Sequence, residues 1–199
     1  MLPQVPAFAQ TPVKLVVLGD SLSAGYNLPA AAAFPVRLQK ALKDKGIAVE
    51  IANAGVSGDT TSGGLGRLDW SVPDGTQGVI LELGANDALR GVDPKIPREA
   101  LTEIIKRLQA RGIKVLLCGM LAPPNYGKDY ADKFNAIYPD LAKQFDVPLY
   151  PFFLDGVAGE GNKLNQADGM HPTAEGVDVV VNKILPTVEA FVAALAPKN

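Results

Sequence analysis

The stretch "LVVLGDSLSAGYNLP", residues 15–29, joins an apolar strand to an abrupt polar break. Four consecutive apolar residues, 15–18, lead directly into Gly19, Asp20 and Ser21. A strand that ends in glycine and serine is compatible with three structures: a phosphate-binding loop, a serine nucleophile or a simple turn. The residues at the other strand ends discriminate between them.

Four more short runs rich in Val, Ile and Leu follow the first, and amphipathic helices separate them. Continuous apolar runs are typical of strands that are buried on both faces, as in a parallel sheet. The alternating order therefore predicts an α/β fold, a three-layer α/β/α structure with a flavodoxin-like five-stranded parallel sheet. The predicted strands are 13–18, 47–52, 78–83, 113–118 and 147–150.

Helical spacing of the apolar residues predicts the main helices between these strands. They cover residues 33–45, 97–111, 129–145 and a last segment from about 173. Pro186 lies inside the last segment, where it is expected to kink or interrupt the helix, because proline lacks the amide hydrogen that a helix interior uses.

Length and composition predict one globular domain. The chain has 199 residues, 47% of them hydrophobic, and a net charge of -2. No basic block points to nucleic acid, and no run reaches the roughly 18 apolar residues of a membrane span. With one cysteine and one histidine, a His/Cys zinc site is excluded, and neither a metal nor a cofactor is expected. Cys118, in an apolar run, is expected to be a small buried residue.

The N-terminal residues differ from the rest of the chain. Residues 1–12 are proline-rich and lack helical periodicity, and Ala7-Phe8-Ala9 has the small-x-small form of a signal-peptidase site. Two interpretations remain open: 1–12 is the remainder of a signal peptide cut short, or it is a disordered tail. The first predicts a periplasmic or secreted protein. Under either interpretation, a single domain covers residues 13–199.

Small and polar residues follow four of the predicted strands. Besides residues 19–21, these are 53–61, 84–91 and, late in the chain, 168–172. In open parallel sheets, ligands bind outside the carboxyl ends of the strands, near the point where the strand order reverses. We therefore expect the functional residues in these four segments.

A phosphate site is the weaker of the two functional interpretations of the opening stretch. A P-loop needs a lysine followed by serine or threonine, and residues 19–25 contain no Lys or Arg. The dinucleotide fingerprint needs a glycine spacing that is also missing. A flavodoxin-type phosphate loop, with the hydroxyls of Ser21 and Ser23 at a helix start, stays possible.

A serine nucleophile has a possible base in this chain. A serine hydroxyl needs a base to remove its proton, and His171 is the only histidine. Asp168 lies three residues earlier, where one short loop can bring its carboxylate to the second imidazole nitrogen. Pro172 restricts the backbone next to the histidine. Ser21, Asp168 and His171 are thus a candidate catalytic triad.

Two residues could stabilise the negative oxygen that forms in acyl transfer. Gly58 can offer a backbone N–H without an obstructing side chain, and Asn86 can offer its amide. Taken singly, Gly58 is better explained as a turn glycine and Asn86 as a cap or turn residue. The functional interpretation gains because the two segments follow neighbouring strands and would converge on Ser21. Asp59 and Thr60 are expected to cap the helix that follows, and Asp20 to brace the turn beside Ser21.

Four short motifs carry a family resemblance. In order, they are "GDSLSAGY" (19–26), "GVSGDTT" (55–61), "GAND" (84–87) and "DGMHP" (168–172). They resemble the four blocks of the SGNH hydrolases, the GDSL esterase/lipase family, and above all its bacterial periplasmic thioesterase, lysophospholipase and arylesterase members. The similarity extends from Val13 to the last helix.

The resemblance implies a role for each motif residue. Ser21 would be the nucleophile, His171 the general base and then acid, and Asp168 the residue that orients the histidine. Gly58, Asn86 and the backbone N–H of Ser21 would form the oxyanion hole. No metal or cofactor would be needed.

The resemblance also implies that residues 88–93 form a mobile loop that contacts substrate. Further residues are less specific candidates for the lining of the substrate pocket: Leu22, Leu89, Pro123, Pro124 and Tyr126.

The function predicted from the sequence is hydrolysis of a carboxylic ester, and also of acyl thioesters or lysophospholipids, through an acyl-enzyme. Two alternatives remain: a carbohydrate acetylesterase of the same family, and a non-catalytic flavodoxin-like binding module. A small-molecule substrate is expected, and a monomer is the default.

Overall fold

A five-stranded parallel sheet forms the centre of the computed structural model, which describes residues 11–159 and 163–195. The strands are β1 (Val13–Gly19), β2 (Val49–Gly55), β3 (Gly78–Glu82), β4 (Lys114–Cys118) and β5 (Leu149–Tyr150). They are hydrogen-bonded in the order β2-β1-β3-β4-β5, and each neighbouring pair is parallel. This is the flavodoxin-like order, so the predicted fold class is confirmed.

Nine α-helices within the described residues connect and cover the sheet. They are α1 (Ser21–Ala24), α2 (Phe34–Asp44), α3 (Thr61–Gly66), α4 (Leu68–Ser71), α5 (Ala85–Leu89), α6 (Lys95–Ala110), α7 (Lys128–Asn135), α8 (Ile137–Phe145) and α9 (Ala174–Leu195). Short 3₁₀ turns span Ala30–Ala32 and Pro124–Tyr126. Helix α2 packs against α9, and α6 packs against α3 and α8. Crossovers between parallel strands are right-handed, and the chain moves in one direction from β1 to β2 and in the other from β3 to β5. These two groups of helices therefore lie on opposite faces of the sheet.

Three predicted elements differ from the structure. Strand β2 is partly exposed rather than buried on both faces, because it is the edge strand. The predicted helix 129–145 is two helices that meet at Ala136, because Pro139 has no N–H to donate to the carbonyl of Asn135. Helix α9 continues through Pro186 without interruption.

The core lies on both sides of the three inner strands. All residues of β3 are buried, as are those of β1 and β4 except for one lysine in each. Cys118 is fully buried, as predicted. Glu82, the last residue of β3, is also fully buried, and it is the exception in an otherwise apolar strand.

Two other expectations concern the N-terminal residues and the absence of a membrane-spanning segment. Of the predicted leader region, residues 1–12, only Thr11 and Pro12 belong to the described part, so its nature lies outside what the structure describes. Over the described ranges, none of the helices combines the length and hydropathy that crossing a membrane requires.

Candidate active site

Ser21 lies at the turn where β1 ends and α1 begins. Asp20 caps this helix, since its Oδ1 accepts a hydrogen bond from the N–H of Leu22 at 2.9 Å. As the first residue of the helix, Ser21 has no intrahelical acceptor for its own N–H. Gly19 has room only for hydrogen, since a Cβ there would lie 2.5 Å from Glu82 Oε2. The turn thus brings the serine hydroxyl to the carboxyl edge of the sheet.

The loop before α9 presents His171 to this serine. The backbone N–H groups of Met170 and His171 donate to Asp168 Oδ1 at 2.9 and 3.0 Å. Asp168 Oδ2 lies 2.6 Å from His171 Nδ1, and His171 Nε2 lies 2.8 Å from Ser21 Oγ. The three residues predicted from the sequence therefore form one continuous chain of hydrogen bonds.

The charge of Asp168 determines which atoms donate and which accept in the hydrogen bonds of the triad. The hydrogen bond from the backbone N–H of His171, with those from Met170 and the imidazole, lowers the pKa of Asp168 to about 2, although burial opposes this shift. An ionised carboxylate only accepts hydrogen bonds, so Nδ1 of His171 carries the proton. Nε2 is then the free acceptor, and the hydroxyl of Ser21 donates to it. The arrangement can therefore draw a proton from the serine.

Gly58 and Asn86 follow β2 and β3, the neighbours of β1. Gly58 has a φ of 82°, which favours glycine, and among the described residues its N–H donates to no protein acceptor. The Nδ2 atom of Asn86 lies 3.1 Å from Asp20 Oδ2 and 2.9 Å from the carbonyl of Asp59. Asn86 thus connects the residue before Ser21 to the residue after Gly58, and all five predicted site residues lie together.

A comparison with protein families agrees with this geometry. Residues 17–179 match the model of the GDSL-like Lipase/Acylhydrolase family. The chain belongs to this family.

Individual members of the GDSL-like family resemble the chain over most of its length. An arylesterase of Vibrio mimicus is 44% identical over 170 residues, which is 85% of this chain and 84% of that protein. A protein of Escherichia coli K12 named "Thioesterase 1/protease 1/lysophospholipase L1" is 38% identical over 89% of this chain and 84% of its own. The crystal structure of TesA superimposes with a TM-score of 0.83 and 39% sequence identity. The match covers 89% of this chain and 98% of the TesA chain.

Arg67 is the first of two residues near the candidate site that the sequence did not reveal. Arg67 is 7% exposed, and its guanidinium donates to the carbonyls of Gly19 and Ala54 and to the Asp59 carboxylate, at 2.6 to 2.8 Å. Asp59 therefore pairs with Arg67, whereas Thr60 alone caps α3 through the N–H of Gly63. No periodicity could identify Arg67, because α3 and α4 are too short.

Asp87, next to Asn86, is a second residue that the sequence did not reveal. It is fully buried, and its two carboxylate oxygens accept from the N–H and the hydroxyl of Thr61 at 2.9 and 2.8 Å. Burial raises the pKa of Asp87, against the opposing effect of the hydrogen bonds from Thr61. These bonds attach the start of α5, which carries Asn86, to the start of α3, which follows Gly58.

Three hydrogen bonds from side chains attach the 88–93 loop, for which the family resemblance implies mobility, to neighbouring segments. Arg90 Nη2 donates to the carbonyl of Gly58 at 2.9 Å. The hydroxyl of Tyr126 donates to the carbonyl of Leu89 at 2.8 Å, and that of Tyr130 to the carbonyl of Val92 at 3.0 Å. The loop is thus attached to the Gly58 segment on one side and to the tyrosines on the other.

The candidate lining residues divide into two groups. Leu22 is 7% exposed and belongs to the hydrophobic core, so it packs behind Ser21 rather than facing solvent. Leu89 and Tyr126 are 48% and 41% exposed at the 88–93 loop. Pro123 and Pro124 line a cavity of about 680 Å³. The cavity is also lined by Gln166 and Gly169, in the loop before α9 that carries Asp168 and His171.

Proposed function

We propose that this chain hydrolyses carboxylic esters, including the ester bond of lysophospholipids, and acyl thioesters. Ser21 is the nucleophile. The observation that carries the proposal is the unbroken hydrogen-bond chain from Asp168 through His171 to Ser21. A serine that donates to an imidazole whose second nitrogen is held by a carboxylate is an activated nucleophile.

The reaction proceeds in two steps. His171 Nε2 takes the proton of Ser21 as Oγ attacks the acyl carbon, and returns it to the departing alcohol or thiol. Water then attacks the acyl-enzyme, His171 takes a proton from it, and the acid leaves as the proton returns to Ser21. Asp168 stays ionised and holds the imidazole in the reactive tautomer throughout.

The oxyanion of each tetrahedral intermediate is bound by three N–H donors in this proposal. They are the backbone N–H groups of Ser21 and Gly58 and the side-chain amide of Asn86. The N–H of Ser21 lies in the turn after β1, and that of Gly58 lies in a loop where glycine has no side chain to block the carbonyl oxygen. The support is the position of all three at the ends of the adjacent strands β1, β2 and β3.

Two apolar surfaces near the triad support the proposed substrate class. One is a cavity lined by Leu121, Pro123 and Pro124, which also reaches Gly169, the residue after Asp168. The other is the ring of Tyr26, which lies 4.6 Å from that of His171. Apolar surface of this kind favours acyl or aryl groups over the polyhydroxyl surface of a sugar. The printed names of the similar proteins, arylesterase and thioesterase, support the same class.

A panel of p-nitrophenyl esters with acyl chains of increasing length tests the activity. We expect release of p-nitrophenol, with kcat/KM higher for an acyl chain of several carbons than for acetate. Acyl-CoA and lysophospholipid substrates, measured beside acetylated xylan, test the wider class. Turnover of acetylated sugar alone would contradict the proposal, and no turnover of any ester would indicate a binding protein.

We propose, further, that the protein works in the periplasm or outside the cell. The support is the Ala7-Phe8-Ala9 sequence, which has the small-x-small form that signal peptidase cleaves. Mass spectrometry of the protein from the native host is expected to find Gln10 as the N-terminal residue. An uncleaved protein found in the cytoplasmic fraction would contradict export.

A further inference from the structure

Two buried carboxyl groups lie on either side of the turn that carries Ser21. Asp20 precedes the serine, Glu82 ends β3, and neither side chain is exposed to solvent. The N–H of Asp20 donates to Glu82 Oε2 at 3.3 Å, and the hydroxyl of Ser23 donates to the same oxygen at 2.6 Å. Glu82 Oε1 is buried without a hydrogen-bond partner among the described residues, and within that part of the chain neither carboxyl forms an ion pair.

We propose that Glu82 is kept protonated beneath the nucleophile turn, so that the one negative charge of the pair lies on Asp20, where it orients the Asn86 amide. The inference rests on the proposed function, because Asn86 matters only if Ser21 forms a tetrahedral intermediate. Neither acid touches substrate, so both are positioning residues.

The hydrogen bonds determine which of the two acids carries the charge. Asp20 receives an N–H donor at each oxygen, from Leu22 and from Asn86. Glu82 receives donors at one oxygen only, and an unpaired buried carboxylate oxygen is costly. Two like charges this close in a buried site also oppose each other, so one acid stays neutral. Burial raises the pKa of both, that of Asp20 to about 6 and that of Glu82 well above its usual range.

The charge on Asp20 matters because Asp20 is one of two acceptors that orient the Asn86 amide. The Nδ2 atom of Asn86 carries two hydrogens, and it faces Asp20 Oδ2 and the carbonyl of Asp59. The oxyanion must share one of these hydrogens, so the two acceptors set the plane of the amide before substrate arrives. If Asp20 were neutral, its oxygen would be a weaker acceptor and the amide less well oriented.

Charged and titratable groups on the surrounding elements affect this pair. His171 and Asp59 interact electrostatically with Asp20, and Cys118 on β4 interacts with Glu82. Tyr138 on α8 interacts with both acids. The Arg67 guanidinium, next to the Gly19 carbonyl, is paired with Asp59. None of these neighbours donates a proton to Glu82 Oε1, and the imidazole favours ionisation of Asp20 rather than of Glu82.

Two isosteric variants distinguish where the charge lies. We expect Asp20→Asn to lower kcat at least about tenfold with little change in KM, because its amide puts a second NH₂ group opposite Asn86. Glu82→Gln, which is always neutral, is expected to lower kcat by no more than about threefold. The reverse order, or equal losses in both variants, would overturn the assignment.

The pH profile and a double-mutant cycle give readouts that a merely structural role would not change. As the pH falls through about 6, Asp20 gains a proton and loses its charge, so we expect Asp20 to contribute to the loss of kcat of the wild type in this range. In Asp20→Asn this contribution is expected to be missing. Asn86→Ala is expected to lower kcat by about 10²-fold, and adding Asp20→Asn to it should cost little more. Additive losses would show that Asp20 acts elsewhere.

Infrared spectroscopy at neutral pH tests the protonation state without any turnover. The carbonyl band of a protonated carboxylic acid is expected in the wild type and in Ser21→Ala, and it should be missing in Glu82→Gln. Glu103→Gln, the same change at an exposed glutamate, is the matched control and should keep the band. A wild-type spectrum without this band would refute the protonated Glu82 even if the protein proves to be an esterase. Retention of the band in a protein without esterase activity would refute the proposed function alone.

Discussion

We expect Ser21→Ala to lower kcat for p-nitrophenyl esters by at least about 10⁴-fold and to retain the fold and its thermal stability. The hydroxyl oxygen is the atom that attacks the acyl carbon, and within the described residues no other hydroxyl is hydrogen-bonded to the His171 imidazole. Loss of one oxygen from a largely buried side chain removes a hydrogen bond but leaves no buried charge unpaired. Steady-state kinetics and a thermal unfolding curve measure the two parts of this expectation.

A covalent phosphonate separates loss of the nucleophile from damage to the site. An activated phosphonate ester is expected to add one phosphonyl group to the wild type, on the peptide that contains Ser21, and none to Ser21→Ala. Ser62→Ala, at an exposed serine of α3, is the matched control and should label and turn over like the wild type. An adduct on another residue, or retention of more than about one percent of kcat in Ser21→Ala, would contradict the mechanism.

The elements that could be predicted from the sequence are those whose residue types alone indicate whether they are buried strands or polar loops. Continuous apolar runs gave β1, β3 and β4 to within a residue or two, and the polar residues after them gave the segments that meet around Ser21. The exposure of β2 could not be read in the same way, because it depends on which strand occupies the edge of the sheet. The break between α7 and α8 had a visible signal in Pro139, which the amphipathic pattern across it masked.

The supporting residues of the site were harder to predict, because their roles depend on contacts distant in sequence. Arg67 contacts carbonyls of β1 and β2 that lie 48 and 13 residues away. Glu82 does have a sequence signal, a single acid within the apolar run 78–83, but that signal does not reveal the Asp20 and Ser23 contacts. Motifs therefore identify the reacting groups, whereas the network that orients them requires the fold.

Asp168→Asn is the second change with a large expected effect, a loss of about 10³- to 10⁴-fold in kcat. An asparagine can turn its NH₂ group toward His171 Nδ1, which then accepts rather than donates. The imidazole proton moves to Nε2, where it faces Ser21 and can no longer remove the hydroxyl proton. KM should change little, since Asp168 orients the base and does not bind substrate.

The pH dependence of the wild type provides a check on this role of Asp168. A carboxyl with a pKa of about 2 in the folded protein, below its ordinary value, stays ionised at every pH at which an esterase is assayed. Its contribution to stability is present above the ordinary aspartate pKa and is lost only as the pH falls through about 2. Protonation of Asp168 therefore cannot cause a loss of kcat in the pH range in which the enzyme is assayed.

Asp140→Asn supplies the matched control for the change of charge, since Asp140 is an exposed residue of α8 that pairs with Arg98. It should keep the activity of the wild type. If Asp168→Asn retained more than about a tenth of kcat, the carboxylate would be dispensable and the tautomer of His171 would be held by another group. The backbone donors to Asp168 Oδ1 make this outcome unexpected, because they fix the carboxylate beside Nδ1 before substrate binds.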